Sequence, residues 1–300
     1  MQAFDWSDLQ VFLAIARSGQ LARAGAALGI DATTAGRRLR RLEARIGATL
    51  FEQTRDGQAL TEAGERLRGH AEAMAMAAST IEEAGHGEAG LPLTGQLRIS
   101  VSEGFGAWFL ARHIPDFVAA HPALTLDLVA NSGFLSLAKR EADLAVTLSR
   151  PTGGPMIARK LSDYTLRLYA TPGYLAQAGT PSEASALMHG HRLVGYIPDL
   201  IYAPELRYLD EIHPDLPIAL RSSSINAQHR IIAAGAGIGV LPCFIGDADT
   251  TLVPVLPATR ITRAFWLVTH QDTHRLARID AGRAWILAAV QAHRARLLPL

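Results

Sequence analysis

The sequence has little cysteine, little net charge and no long apolar run, and each shortage excludes a class of protein. Cys243 is the single cysteine, so an intramolecular disulfide framework and a zinc site built from several thiolates are excluded. It lies in the apolar run "VLPCF", which predicts a buried, unreactive thiol. The net charge of +1 excludes a uniformly basic coat for nucleic acid and leaves only a local basic patch.

The chain also lacks the signals of membrane insertion and export. No stretch reaches the roughly 18 uncharged apolar residues that cross a bilayer, and "MQAFDWSDLQ" has acidic residues where a secretory signal has basic ones. These two observations predict a cytoplasmic protein that has no membrane partner. A chain of 300 residues is long enough for about two domains.

The basic residues that are present concentrate in one short stretch. Residues 31–47, "DATTAGRRLRRLEARIG", hold five arginines against one glutamate. Leu39, Leu42 and Ile46 form an apolar stripe at helical spacing, which leaves the arginines on the remaining surface of the helix.

Two helical patterns precede this stretch and a hairpin pattern follows it. Apolar residues from Leu9 to Ala16 recur at helical spacing, and "LARAGAALG" predicts a second short helix. Gly19 and Gly47 are expected to end the first and third helices, and Asp31 is expected to cap the start of the third. The Asp-Gly pair at Asp56 and Gly57 is a hairpin signal between two short strand-like runs. Three short helices and this hairpin predict an N-terminal all-α winged helix-turn-helix domain at residues 1–60.

This arrangement predicts what the arginines contact. In a helix-turn-helix the second helix of the pair enters the major groove of DNA, with its first residues at base edges and its flanks on phosphates. The predicted DNA-binding residues are Thr33, Thr34, Arg37 and Arg38 at base edges, and Arg40, Arg41 and Arg55 at phosphates. The alternative is a solvated helix face with an ordinary pair between Glu43 and Arg40.

A long helix and a break follow the hairpin. In residues 61–84 the apolar positions alternate four and three residues apart, as in a coiled coil; they are Leu67, Ala71, Met74, Ala78 and Ile81. We interpret residues 61–84 as a dimerisation helix, with packing against its own domain as the alternative. "EAGHGEAGLPLTG" is rich in glycine and proline, so residues 85–94 are interpreted as a hinge.

The pattern beyond the hinge belongs to another fold class. Strand-like runs alternate with helical runs over residues 95–300, which predicts an α/β domain whose helices cover a mostly parallel sheet. Ligands of such sheets bind at the carboxyl ends of the strands. The polar residues expected there, as an effector-binding site, are Ser102, Glu103, Asn131, Ser132, Ser149, Tyr196, Ser224 and Asn226. The alternative for each is a helix cap or a turn former without a ligand.

Glu103 carries a specific hypothesis about the ligand. A carboxylate at the start of a helix opposes a simple organic anion unless Arg150 or another cation balances it. We therefore hypothesise an effector that carries an amine or a hydroxyl group.

The sequence resembles the LysR-type transcriptional regulators. The resemblance lies in the alanine-rich second helix, in "RRLEARIGATLFE" and in "LTEAG", and it continues in "GQLRISVS", "READLAVTL", "GAGIGVLP" and "FWLVTH". The family pattern usually has glutamine and two serines where this chain has Ala32, Thr33 and Gly36, and arginine where it has Gln53. These departures concern the recognition helix and the wing, so the operator of a relative should not be transferred to this chain.

The resemblance implies more than DNA binding. It implies two α/β lobes similar to type 2 periplasmic binding proteins, about 95–163 with 265–300 and about 164–264, with a small-molecule co-inducer of unknown identity between them. It further implies a homodimer or homotetramer on an inverted-repeat operator in double-stranded DNA, with RNA polymerase as a further partner. No metal and no resident cofactor is expected.

Two other functions remain open from the residues alone. One is a small-solute-binding protein without a regulatory function, which leaves residues 1–84 unexplained. The other is a nucleotide-dependent enzyme, suggested by "GAGIG" at residues 235–239. Its glycine spacing misses the dinucleotide fingerprint and it precedes a strand instead of following one, which favours a helix end.

Overall fold

The computed structural model describes residues 5–55, 57–85, 92–131, 137 and 141–299. The chain divides into two compact units, Met1–Leu91 and Pro92–Leu300. Within the described part of the chain, none of the helices combines the length and the apolar character that crossing a membrane requires.

The first unit contains three helices, a hairpin and a long helix. They are α1 (Trp6–Ser18), α2 (Leu21–Ala27), α3 (Ala32–Ile46), β1 (Phe51–Thr54), β2 (Gly57–Leu60) and α4 (Glu62–Gly85). The strands pair antiparallel, with Phe51 opposite Leu60. The predicted order of helices and hairpin is therefore confirmed, although Asp56 of the turn lies outside the described residues.

Local chemistry explains where the helices of this unit begin and end. The carboxylate of Asp5 accepts a hydrogen bond from Ser7 N at 3.0 Å and caps α1. Gly19 and Gly47 follow α1 and α3 in the left-handed conformation, with φ of 66° and 73°, which glycine adopts without a steric penalty. The helix ends expected at these two glycines are confirmed.

The core of the first unit receives the apolar stripes of its helices. Phe12 of α1 is fully buried and contacts the ring of Phe51, with 5.4 Å between the centroids. Leu39 and Leu42 bring the predicted stripe of α3 into the same core. Burial of these side chains fixes which surface of α3 is left for solvent.

The apolar seam of α4 is divided between two environments. Ala71 is fully buried in the core of its own unit, and Leu67 packs against that core. Met74 is 49% exposed, and the side chain of Ile81 lies outside the described residues. The early part of the seam therefore packs against its own domain, as the alternative interpretation expected, whereas Met74 is left exposed.

The second unit is built on one sheet. Its strands are β3 (Gly95–Ser102), β4 (Leu124–Asn131), β5 (Leu144–Thr147), β6 (Met156–Ala170), β7 (Leu193–Gly195), β8 (Ile218–Arg221), β9 (Ile238–Pro242), β10 (Val253–Val255) and β11 (Ile261–His270). Their order is β4-β3-β5-β11-β6-β9-β7-β8, and β10 pairs with β6.

The prediction of a mostly parallel sheet is wrong. β3 runs parallel to β4 and β5, and β7 runs parallel to β8 and β9. The pairings of β11 with β5 and β6, and of β6 with β9 and β10, are antiparallel. The sheet is therefore mixed, because two long antiparallel strands join two parallel halves.

The two long strands extend well beyond the runs that sequence alone indicated. β6 begins at Met156 and β11 at Ile261, although only "LRLYA" and "FWLVT" read as strands. The first portion of β6 contains the exposed neighbours Arg159 and Lys160, and that of β11 contains Thr262, which is exposed, and Arg263, which is half-buried; these polar residues weaken the apolar signal. The register between β11 and β6 shifts between Phe265 and Trp266, where β11 passes from one half of the sheet to the other.

Helical segments cover the sheet and follow its strands. The α-helices are α5 (Ile114–Ala120), α6 (Pro172–Ala178), α7 (Leu209–Ile212), α8 (Ile225–Ala233), α9 (Cys243–Gly246), α10 (Ala277–Ala292) and α11 (Arg294–Leu297). A π-helical segment, Phe105–Leu110, and a 3₁₀ turn, Ala111–His113, precede α5. Further 3₁₀ segments occupy Ala184–Met188, Pro198–Leu200 and Pro204–Leu206.

The π-helical segment sits unusually close to the sheet. A Cβ on Gly106 would lie 2.5 Å from the Cβ of Ala130 and 2.7 Å from a methyl group of Val101. Only glycine allows this approach, and the approach brings the start of the segment against the end of β3.

Candidate functional site

The polar surface of α3 is the candidate DNA-binding surface of the first unit. Leu39 and Leu42 are buried, whereas Thr33, Arg37 and Arg40 are exposed. Arg38 is half-buried and lies close enough to Asp5 to lower the pKa of that carboxyl, a smaller effect than the hydrogen bond from Ser7 N. Exposed arginines on one helix produce a local positive potential on a chain of low net charge.

Arg41 is engaged inside its own unit. Its Nε donates to Asp8 Oδ2 at 2.7 Å, and its Nη2 donates to Asp8 Oδ1 at 2.5 Å and to Asp5 Oδ2 at 2.7 Å. The Asp8 carboxylate is fully buried, and its hydrogen bond raises the pKa of Arg41. Arg41 therefore fastens α3 to the start of α1. Sequence reasoning missed this pair, because Arg41 and Asp8 are far apart in sequence.

The first residues of α3 are held by their own cap. Asp31 accepts from Thr34 N at 2.7 Å and from Thr34 Oγ1 at 2.8 Å, and the backbone hydrogen bond is the main cause of the lowered pKa of Asp31. The expected cap at Asp31 is confirmed, and the Thr34 hydroxyl is used in it. The turn before α3 is tight, since a Cβ on Gly25 would lie 2.7 Å from the Ile30 carbonyl oxygen.

Glu43 and Arg40 have separate partners. The Glu43 carboxylate accepts from Leu50 N at 2.7 Å and ties α3 to the strand that follows. Arg40 Nε donates to the carbonyl of Gly36 at 3.3 Å. These contacts speak against the alternative of a plain surface pair between the two side chains, and they leave Arg40 exposed.

The hairpin lies against the corner between α1 and α2. Gln58 N donates to the Gly19 carbonyl at 2.7 Å. Gly57 has a φ of 133°, and a Cβ there would lie 2.3 Å from the Gly19 oxygen. Arg55, two residues before Gly57, is exposed in the turn of the hairpin.

The second unit contains a cavity at the end of β3, which we call the aromatic cavity. Ser102 and Glu103 form one side of it. Its aromatic wall consists of Tyr164, Tyr196, Tyr202, Tyr208, Phe105, Phe244 and Phe265. Four of the six tyrosines of the chain therefore meet at one place, drawn from both halves of the sheet and the loops between them.

The aromatic cavity is nearly filled by its own walls. The empty space between its residues is about 430 Å³ including the mouth, but the centre of a water-sized sphere reaches only about 30 Å³ of it. Because one water needs roughly 10–15 Å³ by this measure, the cavity holds about two waters. A metabolite enters only if the walls move apart.

Hydrogen bonds across the cavity hold these walls together. The Glu103 carboxylate accepts from Ser224 Oγ at 2.7 Å, from Ile225 N at 3.0 Å and from Asn226 Nδ2 at 2.9 Å. Because Ile225 opens α8, the carboxylate also faces the positive end of the helix dipole. Glu103 thus links the end of β3 to α8.

Three further contacts join the π-helical segment to α8 and the residues after β5 to the 3₁₀ segment Pro204–Leu206. Trp108 Nε1 donates to Asn226 Oδ1 at 2.7 Å, and the Trp108 ring lies edge-on to His229 with 4.7 Å between the centroids. The Ser149 hydroxyl donates to the Glu205 carboxylate.

The tyrosines of the cavity are neutral hydrogen-bonding groups. Burial raises the pKa of Tyr164, Tyr196 and Tyr208, and it raises the pKa of Tyr202 to about 12. The Tyr208 hydroxyl is buried and has no hydrogen-bond partner among the described residues. It is therefore a donor available to a bound molecule.

Three of the eight sequence-predicted effector residues lie in the wall of the aromatic cavity. Ser102, Glu103 and Tyr196 line the aromatic cavity. Of the other five, Ser224 caps α8 and, like Asn226, donates to Glu103. Ser149 donates to Glu205, Asn131 is exposed at the end of β4, and Ser132 lies outside the described residues.

Sequence reasoning missed Tyr164, Tyr202, Tyr208 and the three phenylalanines. They come from separate strands and loops, and no local spacing connects them.

The other chemical candidates have structural explanations. Gly235 follows α8 with φ of 77° and leads into β9, as expected for a helix end. Cys243 is buried, as predicted, and burial raises the pKa of its thiol. Among the residues described, no group of three or more histidine, cysteine or acidic side chains is placed to hold a metal ion.

Comparison with known families identifies the chain. Residues 6–65 match the bacterial regulatory helix-turn-helix protein, LysR family, and residues 91–291 match the LysR substrate binding domain. The chain belongs to the LysR family. It is therefore a DNA-binding transcription regulator with an effector-binding domain, and not an enzyme. The LysR match to residues 6–65 also gives a role to the segment that a solute-binding protein leaves unexplained.

Relatives of known name or structure support the same assignment. The mau operon transcriptional activator of Paracoccus denitrificans is 28% identical over 277 residues, which cover 88% of this chain and 89% of the relative. The structure of CrgA from Neisseria meningitidis shares the fold at 24% identity and a TM-score of 0.59, covering 95% of this chain and 99% of CrgA. Full-length LysG from Corynebacterium glutamicum, solved with arginine as bound effector, shares it at 19% identity and a TM-score of 0.59, covering 96% and 99%.

Proposed function

We propose that this LysR-type regulator recognises a specific inverted-repeat operator and that a small molecule bound in the aromatic cavity controls its promoter output. The observation that carries the DNA-binding part is the surface of α3, where Thr33 and Arg37 are exposed on the first turns and Arg40 is exposed further along. A helix that presents these groups to a major groove has both base-reading and phosphate-binding side chains.

The predicted contacts are refined by the hydrogen bonds of the domain. Thr33 and Arg37 read base edges, with Arg38 beside them, and Arg40 and Arg55 contact phosphates. Thr34 and Arg41 are positioning residues, because the Thr34 hydroxyl caps α3 with Asp31 and the Arg41 guanidinium holds Asp8. They remain close to DNA without being its main ligands.

Two copies of the chain are proposed to bind the operator together. An inverted repeat mirrors the two-fold symmetry of a homodimer. A groove of about 440 Å³ between α1, α2 and α4 is lined by Trp6, Leu28 and Ala78, and Met74 is exposed nearby on α4. These apolar side chains support residues 61–84 as the dimerisation helix, with 85–94 as the hinge. Pairing of effector domains then gives the tetramer.

The effector is proposed to bind between two lobes, about 95–163 with 265–300 and about 164–264. The register shift between Phe265 and Trp266 supports a boundary there. The cavity is closed, so a ligand that enters it must favour a more open arrangement of the lobes. Such a shift between two arrangements is how ligand binding could control promoter output. LysG, which shares the fold, holds arginine as its bound effector.

We propose that the protein acts in the bacterial cytoplasm, because its proposed partners, operator DNA and RNA polymerase, are found there. No metal or resident cofactor takes part in this proposal. The small molecule acts as a co-inducer that changes the lobe arrangement.

Selection of bound fragments from the source genome tests the proposal. The purified full chain is mixed with sheared DNA at about 150 mM salt, because low salt exaggerates binding to phosphates. Enrichment of one palindromic site is expected. Weak and uniform retention that disappears as salt is added would contradict sequence-specific recognition.

Two substitutions on α3 separate base reading from phosphate binding. Arg37→Ala is expected to weaken binding to the selected site by about 1–3 kcal/mol and to relax the preference at one base position. Arg40→Ala is expected to weaken binding to all sequences alike and to lower the salt dependence by about one phosphate contact. Fluorescence anisotropy on the site and on single-base variants measures both. An equal loss on every sequence for Arg37→Ala would reassign it to phosphate.

A further inference from the structure

We infer that the effector is an uncharged compound with a flat ring and a hydrogen-bond acceptor, and that Tyr208 donates a hydrogen bond to this acceptor. The inference rests on the proposed function, in which the aromatic cavity receives the effector. It replaces the hypothesis of an amine or hydroxyl group that Glu103 suggested from sequence alone.

The wall of the cavity offers no cation to an acid group. Among the described residues that line it, none is lysine, arginine or histidine. Arg263 lies near Tyr164 and Tyr208, but its guanidinium pairs with Glu211 and donates to the Glu205 carbonyl at 3.1 Å. A carboxylate in the cavity would therefore be buried without a counter-ion, which is strongly unfavourable.

The anionic side chain of the wall is already occupied. Glu103 Oε1 accepts from Ser224 Oγ and Asn226 Nδ2, and Oε2 accepts from Ile225 N. An ammonium group in the cavity would have to displace these donors from the start of α8. An anion is therefore disfavoured because the wall offers no counter-ion, and a cation is disfavoured because the carboxylate already has its donors.

The remaining wall suits a flat apolar group. Tyr164 stacks on Phe265 with 4.1 Å between the centroids and 14° between the planes. Tyr196 and Tyr208 meet edge to face at 6.1 Å. Aromatic rings favour such offset and edge-on contacts, so a planar ring inserted when the walls separate finds partners on several sides.

Tyr208 supplies the polar contact. It is 2% exposed, and its hydroxyl has no hydrogen-bond partner among the described residues. A buried donor without an acceptor is costly, and a ligand that brings an acceptor recovers this cost. A carbonyl oxygen on an uncharged ring compound satisfies the hydroxyl and adds no net charge.

Binding of four small probes to the full-length chain tests the inference. Acetophenone has a ring and a carbonyl acceptor, benzoate is its anionic near-isostere, benzylamine is cationic at neutral pH, and ethylbenzene has no acceptor. Ligand-observed NMR titrations give the four dissociation constants. Acetophenone is expected to bind about tenfold or more tighter than benzoate and benzylamine, because each charged probe is buried without a free partner.

A hydroxyl deletion locates the contact. Tyr208→Phe is expected to weaken the binding of acetophenone about threefold to tenfold and to leave the binding of ethylbenzene unchanged, because only acetophenone has an acceptor that loses its donor. Tyr174→Phe is the matched control: its hydroxyl accepts from Arg192 N and is not part of the cavity wall. This control should leave all four dissociation constants unchanged.

The outcomes separate this inference from the proposed function. Preference for benzoate or benzylamine, failure of all four probes to bind, or an unchanged acetophenone affinity in Tyr208→Phe would each overturn the inference. Retention of specific operator DNA by the same preparation would leave the regulator proposal standing in those cases. Loss of specific DNA retention would overturn the proposed function whichever probe binds.

Discussion

At the scale of single residues, tertiary partners decide what a charged side chain does. Sequence reasoning assigned Glu103 to the effector and Arg41 to phosphate. In the structure Glu103 accepts three hydrogen bonds at the start of α8, and Arg41 holds the buried carboxylate of Asp8. Glu103 does line the aromatic cavity, and Arg41 does lie on α3. The partners come from distant parts of the chain, and neither spacing nor composition indicates them.

Arg41→Lys is therefore expected to destabilise the first unit while leaving the positive charge near the DNA unchanged. Lysine keeps the positive charge but does not reproduce the two-pronged contact with Asp8. Its melting transition, followed by calorimetry of the full chain, should fall by roughly 5 °C. Arg40→Lys, exposed on the same helix, is the control and should leave the transition unchanged. Equal melting temperatures for the two variants would show that the Asp8 contact contributes little.

At the scale of elements, close packing between two segments can require a glycine that helix propensity alone disfavours. α4 contains Gly64 and Gly69, which sequence reasoning treats alike as weak points of a helix. A Cβ on Gly64 would lie 2.2 Å from the Leu50 carbonyl oxygen and 2.8 Å from a methyl group of Leu60, whereas nothing lies within 4 Å of a Cβ on Gly69. Gly64 is therefore required where α4 crosses the hairpin, and Gly69 is not.

The same substitution should have opposite effects at these two positions. Gly69→Ala is expected to stabilise the first unit by up to about 1 kcal/mol, because alanine has the better helix propensity. Gly64→Ala gains the same propensity but displaces α4 from the hairpin, and it should lower the melting temperature and weaken DNA binding. Calorimetry and operator binding of the two full-length variants test this. Stabilisation by both would mean that α4 adjusts its position without loss.

At the scale of the whole molecule, the seam of α4 and the aromatic cavity are the two places where we propose that another molecule binds. The seam of α4 contributes Ala71 to the core of its own unit, while Met74 is 49% exposed. In the second unit the cavity is closed by contacts such as that of Trp108 with Asn226. We propose that a second copy of the chain covers the seam of α4 and that an effector binds in the cavity.

Met74→Glu is expected to weaken dimerisation about tenfold or more, because a carboxylate would be buried in the apolar seam between two copies. Sedimentation velocity of the full chain over a range of concentrations measures the change. Arg66→Gln is the control, since Arg66 is exposed on the same helix and, among the described residues, forms its ion pair with Glu62 one turn earlier. A dimer unaffected by Met74→Glu would place the interface away from this part of α4.

The sequence by itself determined the order of elements in the first unit, the caps at Asp31 and Gly47, the positions but not the lengths of most strands of the second unit, and the family. These features rest on periodicity, turn chemistry and short motifs, which act between neighbours in the chain. Tertiary structure alone decided the mixed sheet, the role of Arg41 and the aromatic cavity with Tyr208. Strand direction and convergent side chains depend on contacts between residues far apart in sequence, and burial, not local pattern, determines which of them meet.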